Sequence, residues 1–315
     1  MKKSLILALC TAIICFGCAR NPNDVRAIEP SIESMRLAVI LPSSRSGGYW
    51  GRIRDGFIQG VDGIDVDITF FYPHTRFDIP QMTSLIRRAT ASKVDAIAVQ
   101  GIDDLEYIQA LQEAHDQGIL IGFVDTDIDD FPNRLYVGTD NYAAGVFMAN
   151  QLVAKTGGKA TIAVIMAESG FPNLDERLRG ATDVIANHRD MEILRVEYSQ
   201  FDTLTVIEKY HAIIQDELID TIILLDGSST GAFGRLSVQS EGNIKIIIGF
   251  DIGDSSADAI RNGVIQGTVA QQPSEMGLIA SQELYRRFTE GCNDSVIIYT
   301  DVFYVTASNL EDFHQ

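Results

Sequence analysis

Between Met35 and Val305, short apolar runs rich in β-branched residues alternate with stretches whose apolar residues recur every three or four positions. No other feature constrains the fold as tightly. Strands separated by helices need crossover connections and so pair in parallel, and a parallel sheet must be covered by helices on both faces. Met35–Leu41 (MRLAVIL) is apolar almost throughout, as a strand buried on both faces requires. Ile53, Phe57 and Val61 then fall at i, i+4 and i+8, the stripe of an amphipathic helix. The pattern predicts further strands at Val66–Phe71, Val94–Val99 and Ile119–Val124, with helices at Gln81–Ala91 and Leu105–Gln117, the second stopped by Gly118. A second series follows. It predicts helix Tyr142–Lys155, strand Thr161–Met166, helix Leu174–Asn187, strand Glu192–Tyr198, helix Leu204–Asp216 and strand Thr221–Leu225. Helix Thr230–Gln239, strand Ile244–Phe250, helix Ser255–Asn262, strand Ile265–Ala270, helix Ser274–Thr289 and a single strand Val296–Val305 complete it. Two successive series of four to five strands, each with right-handed crossovers, predict an α/β chain of two doubly wound parallel-sheet lobes.

Residues 1–18 have another character. Lys2 and Lys3 precede an apolar stretch, Ser4 to Phe16, that is short for a membrane span and ends in Cys15-Phe16-Gly17-Cys18. This segment resembles a bacterial lipoprotein signal, with Cys18 as the residue lipidated after cleavage. Cys15 and Phe16 depart from the usual pattern, and an ordinary cleaved signal or an uncleaved anchor are the other readings. Residues 19–34 are polar and contain two Pro, as expected of a tether. Three of the four Cys lie in the leader, so Cys292 has no intramolecular disulfide partner in the body. Lys+Arg number 25 against 43 Asp+Glu, a formal net charge of −18, which repels phosphate backbones and argues against a nucleic-acid partner. The five His (74, 115, 188, 211 and 314) lack ligand spacing, and neither a phosphate-binding nor a dinucleotide-binding glycine motif occurs, so no metal and no cofactor are expected.

In doubly wound sheets ligands sit beyond the carboxyl ends of the strands, where strand order reverses. The loops at those positions contain Ser43–Gly51, Gln100–Asp104, Asp125-Thr126-Asp127, Glu168–Arg177, Phe201-Asp202, Asp226–Ser229, Asp251-Ile252 and Gln271-Gln272-Pro273. Aromatic rings beside carboxylates, amides and one Arg suit a neutral polyhydroxylated ligand. Ring faces take up C–H surfaces, and charge-assisted hydrogen bonds take up hydroxyls.

Four segments carry a resemblance: Val137–Gly145 (VGTDNYAAG), Arg177–Gly180 (RLRG), Ile248–Asp251 (IGFD) and Gly267–Gly277 (GTVAQQPSEMG). At these spacings the chain resembles the type I periplasmic sugar-binding proteins from about Met35 to Asn309. The resemblance implies a first lobe of residues 35–138 plus 274–300 and a second of 139–273 plus 301–315, joined by three crossings. It implies a monomer that captures a small carbohydrate (pentose, hexose or polyol) between the lobes and hands it to an ABC permease. The implied location is the periplasm or the outer face of the cell membrane. Carried over residue by residue, Tyr49 and Trp50 match the family's paired aromatics, Gln100 an Asn position and Asp125 the acid after the fourth strand. Arg177 matches the Arg of Arg-x-x-Gly, Asp251 the Asp after Phe250, and Gln271 the amide before Pro. Phe201 and Asp226 match more loosely. Gly47 and Thr126 stand where ribose-binding members often have Asn and Arg, which counts against ribose itself.

Other readings stay open on the sequence alone. Tyr49 and Trp50 could be core residues opening a helix, and Asp125 and Asp251 could be helix caps. Arg177 could be a solvated helix charge. Asp140 and Asn141 read as caps of the helix that follows. Closure could feed a sensor kinase or chemoreceptor instead of a permease. Finally, Gly227-Ser228-Ser229-Thr230-Gly231 fits the G-x-S-x-G of a serine hydrolase with Ser229 as nucleophile, although His314 is the only His downstream.

Overall fold

The computed structural model describes residues 34–43, 48–236 and 243–313. The leader, the lipidation position Cys18, residues 44–47 and His314 lie outside the described residues. In chain order the elements are β1 (Met35–Ile40), α1 (Tyr49–Gly60), β2 (Val66–Phe71), α2 (Ile79–Ala91), β3 (Ala96–Val99), α3 (Leu105–His115), β4 (Leu120–Asp125) and β5 (Leu135–Gly138). They continue with α4 (Asn141–Thr156), β6 (Lys159–Met166), α5 (Pro172–Ile185), β7 (Asp190–Tyr198), α6 (Thr203–Ile214), β8 (Thr221–Leu224), α7 (Gly227–Gly234) and β9 (Ile246–Phe250). The chain closes with α8 (Asp254–Arg261), β10 (Gly267–Ala270), α9 (Pro273–Glu290), β11 (Val296–Tyr299) and β12 (Phe303–Val305).

The strands form two six-stranded sheets, ordered β11-β5-β4-β3-β1-β2 and β12-β10-β9-β8-β6-β7. The two orders are the same, position for position, and the sheets differ only in the direction of the edge strands β11 and β12. All pairings are parallel except β10 with β12. The chain changes sheet after β5, after β10 and after β11.

Three expectations need correction. Val296–Val305 is not one strand: β11 and β12 belong to different sheets, and the break at Thr300–Val302 is a crossing between them. Leu135–Gly138 is a strand that hydrophobic patterning did not pick out, because four buried residues leave no period to read. With these two changes each series reaches six strands rather than four or five. The helix placed at Thr230–Gln239 begins earlier, at Gly227, since Asp226 caps it by accepting from the Ser229 backbone N–H.

Each sheet is packed on both faces, with Ala38, Ile97 and Phe123 facing one layer of the first and Val39, Ala98 and Val124 the other. The alternation explains the near-continuous apolar runs. Among the described residues no helix is long and apolar enough to cross a membrane.

Candidate functional site

Lobe pairing places a cavity of about 580 Å³ between the carboxyl ends of the two sheets. Tyr49, Trp50, Gln100, Asp125, Arg177, Phe201, Asp226, Asp251 and Gln271 all line it. Thr126 does not. Its Oγ1 donates to Asp125 Oδ2 (3.0 Å) and accepts from Gln100 Nε2 (3.1 Å), so it holds those two side chains from behind.

The floor is polar and buried. Asp125 ends β4 with φ 74°, and Asp251 follows β9 with φ 62°. Both backbones are held in this left-handed conformation by a hydroxyl on the next strand. Tyr136 Oη donates to the Asp125 carbonyl (3.0 Å), and Thr268 Oγ1 to the Asp251 carbonyl (2.9 Å). Four of the seven non-glycine residues with positive φ among those described, Phe77, Asp125, Phe201 and Asp251, line this one cavity. Such strain, on the order of 1–3 kcal/mol per residue, persists where the surroundings over-determine it, and it concentrates at functional sites.

Asp125 Oδ1 accepts from Tyr49 Oη (2.5 Å) and Oδ2 from Gln100 Nε2 (3.0 Å). That anchoring fixes the Gln100 amide, whose Oε1 is buried without a hydrogen-bond partner. On the second lobe, Arg177 is 2% exposed. Its Nε donates to Asn141 Oδ1 (2.8 Å), its Nη2 to Gln271 Oε1 (3.1 Å), and its Cζ lies 3.8 Å from the Phe250 ring centroid. Gln271 in turn donates to Asp251 Oδ1 (2.9 Å) and accepts from Thr139 Oγ1 (2.7 Å), tying two crossing segments into the floor. Arg177 is therefore a positioned donor, not a solvated charge; Arg179, which is exposed and pairs with Glu176, is the solvated one.

Burial pushes the carboxyls of Asp125, Asp226 and Asp251 above the usual carboxylate range, while the Arg177 guanidinium pulls all three back. Burial, and then the charge of Asp125, holds the Tyr49 phenol well above its ordinary value, so it stays a donor. Because a ligand hydroxyl donates best to an ionised carboxylate, affinity should weaken as pH falls through the acid window in which these raised carboxyls take up protons. On the stability of the free protein these three carboxyls act in the opposite sense. A carboxyl whose folded pKa is raised destabilises the fold above that pKa, and this penalty is relieved as pH falls through it. Titration calorimetry from pH 7 downward, beside thermal melts of the free protein, would show the two trends diverging. An affinity flat across that window would mean that the carboxylates do not receive the ligand.

The walls are aromatic. Trp50 meets Tyr49 edge-on (5.4 Å) and Phe77 likewise (6.2 Å). Phe77 stacks at 5.1 Å on Phe201 of the other lobe, and Phe201 meets Phe171 at 5.3 Å. Trp50 is 6% exposed, so it serves the core and the cavity at once. Arg52 Nη2 donates across the cleft to the Ile252 carbonyl (2.7 Å), so the lobes are closed. Arg76, Phe77, Phe171 and Asn141 were missed from the sequence. Phe171 lies in the post-strand loop Glu168–Arg177 without being singled out there, and Asn141, inside the VGTDNYAAG segment, reads from the sequence as a cap. The cap is Asp140, which accepts from Ala143 N–H, while Asn141 orients Arg177.

A family model described as a periplasmic binding protein domain matches residues 37–289. The xylose/arabinose-binding protein XylF of Sulfolobus acidocaldarius is 22% identical over 256 residues, covering 75% of this chain and 62% of that protein. The match thus spans less than two thirds of that relative's length. The ribose import binding protein RbsB of Bacillus subtilis is 24% identical over 209 residues, covering 65% of this chain and 67% of that one. Among solved structures, GanP, a glucose-galactose binding protein from Geobacillus stearothermophilus, superimposes with a TM-score of 0.81 at 26% identity, covering 88% of this chain and 99% of that one. With a family match over most of its length and two six-stranded lobes closing on one cleft, the chain belongs to the periplasmic binding proteins.

Proposed function

We propose that the chain is an extracytoplasmic solute-binding lipoprotein that captures one small carbohydrate (a pentose, hexose or polyol) by lobe closure and delivers it to an ABC permease. One observation carries the reading. The cavity between the lobes is rich in acceptors (the carboxylates of Asp125, Asp226 and Asp251), held beside the buried, positioned Arg177 guanidinium and flanked by aromatic rings. A neutral molecule with several hydroxyls satisfies such a set, because each O–H donates to a buried acceptor while the C–H faces lie on the rings. The sugars named for XylF, RbsB and GanP are of this class. Only closure brings Tyr49, Gln100 and Asp125 together with Arg177, Asp251 and Gln271, so ligand contacting both lobes stabilises the closed form that a permease reads. In this reading the protein works as a monomer, anchored through Cys18, with no cofactor, no metal and no nucleic-acid partner.

It is also a binder rather than an enzyme. Ser229 is fully buried, and its Oγ donates to Asp226 Oδ2 (2.7 Å), which makes it part of a helix cap and leaves it no access to an ester.

Trp50 is the chain's single Trp and lines the cavity, so its fluorescence reports occupancy directly. Titration of the full chain with D-ribose, D-xylose, D-arabinose, D-glucose and D-galactose should shift that emission and raise the melting temperature for at least one of them. If only nucleosides or amino acids did so, the carbohydrate assignment would be wrong.

A further inference from the structure

Phe77 stands out because nothing in the helix it precedes requires its conformation. It follows β2 by six residues and comes just before Asp78, which caps α2 by accepting from Gln81 N–H. An apolar residue ahead of a cap ordinarily folds back onto the first turn of its own helix. Here that would mean packing toward Met82. Instead the backbone is left-handed (φ 58°), and the ring packs with the cluster of Trp50, not with that of Met82. The equivalent loop of the second lobe, after β7, does the same with Phe201 (φ 56°), and the two rings meet at 5.1 Å across the cleft. The neighbouring Arg76 lies over the Phe77 ring (4.8 Å) and reaches Ser228 Oγ of the opposite lobe (3.4 Å).

Resting on the carbohydrate reading above, we infer that Phe77 is a specificity-determining wall which limits the ligand to a single sugar ring. The Trp50–Phe77–Phe201–Phe171 row is continuous from one lobe to the other. A glycosidic substituent leaving the cavity on that side would have to part the Phe77–Phe201 pair. A single ring leaves the pair intact, and the pair then adds to closure. Ring contacts of this kind contribute enough to change an affinity about 5- to 10-fold.

The test is calorimetric titration of full-length wild type, Phe77→Ala and Phe77→Leu with glucose, galactose, xylose and arabinose, and with maltose, cellobiose, lactose and xylobiose. Thermal melts confirm that each variant folds, and the leucine variant keeps the apolar bulk should alanine disturb the loop. Wild type should bind a monosaccharide and none of the disaccharides. Phe77→Ala should bind the same monosaccharide about 5- to 10-fold more weakly and gain measurable affinity for a disaccharide containing it, with Phe77→Leu between the two. Unchanged monosaccharide affinity with no gained disaccharide overturns the inference and leaves the carbohydrate reading standing. Disaccharide binding by wild type does the same. If wild type binds none of these sugars, nor ribose, other pentoses and hexoses, or polyols, the carbohydrate reading fails and takes this inference with it.

Discussion

Arg177→Ala should weaken monosaccharide binding by roughly two orders of magnitude or more, because it removes a desolvated cation that acts on the carboxylates of Asp125, Asp226 and Asp251. Two further losses accompany the charge. Gln271 would lose the Arg177 donor that helps orient its amide between the Thr139 hydroxyl and Asp251, and the Asn141 carbonyl oxygen would lose the guanidinium Nε. Arg177→Lys should recover only part of the affinity, since an ammonium cannot span Asn141 and Gln271 in one plane. The free variant should also carry a pH signature. Without their shared cation the carboxyls of Asp125, Asp226 and Asp251 rise further, so the variant melts below wild type at pH 7. That gap narrows as pH falls and the three groups take up protons. Calorimetric titration together with melts at two pH values separates this from a general loss of structure. Affinity within a few-fold of wild type would show that ligand does not contact the guanidinium.

The architecture and this residue were legible for the same reason: both leave local marks. A strand buried on two faces must be apolar throughout, and the end of α4 announces itself at Gly157, its left-handed cap, while Gly118, also at positive φ, lies three residues beyond the end of α3 at His115. The position after a parallel strand is where side chains reach a cleft, which brought Gln100, Asp125 and Asp251 into view. Legibility failed where the determining partner is remote. β5 exists because β4 and β11 pair with its two edges, and neither relation is written in LYVG. Phe77 faces the cavity because a ring of the other lobe receives it, not because of its neighbours in sequence. Thr126, expected among the ligand contacts, does not line the cavity: after the left-handed turn at Asp125 its hydroxyl bonds the Asp125 carboxylate from behind the floor.

The glycines of the VGTDNYAAG and RLRG segments yield the second large effect, and they show why those segments look as they do. A Cβ added at Gly145 would lie 2.1 Å from the Arg177 carbonyl oxygen, and one at Gly180 would lie 2.2 Å from that of Tyr142. Helices α4 and α5 therefore touch backbone to backbone, and that contact sets the position from which Arg177 reaches the cavity. The first lobe repeats the arrangement between α1 and α9, where added carbons at Gly56 and Gly277 would meet Ser274 O at 1.9 Å and Ile53 O at 2.1 Å. No rotamer change relieves a clash with a carbonyl, so the helices must move apart. Gly145→Ala is expected to destabilise the fold by about 3 kcal/mol, a drop in melting temperature of about 6–10 °C for a domain of this size, and to weaken binding as well because the displaced turn carries Arg177. Gly231→Ala is the matched control. It lies inside α7 of the same lobe, where the new carbon would find its nearest neighbour, Ser255 Oγ, at 4.0 Å, so the ordinary preference of a helix for Ala over Gly should leave the melt unchanged or slightly raised. Opposite signs from the same chemical change, read in one set of melts, would tie the motif to helix contact. A Gly145→Ala protein that melts and binds like wild type would mean that something other than this contact positions the guanidinium.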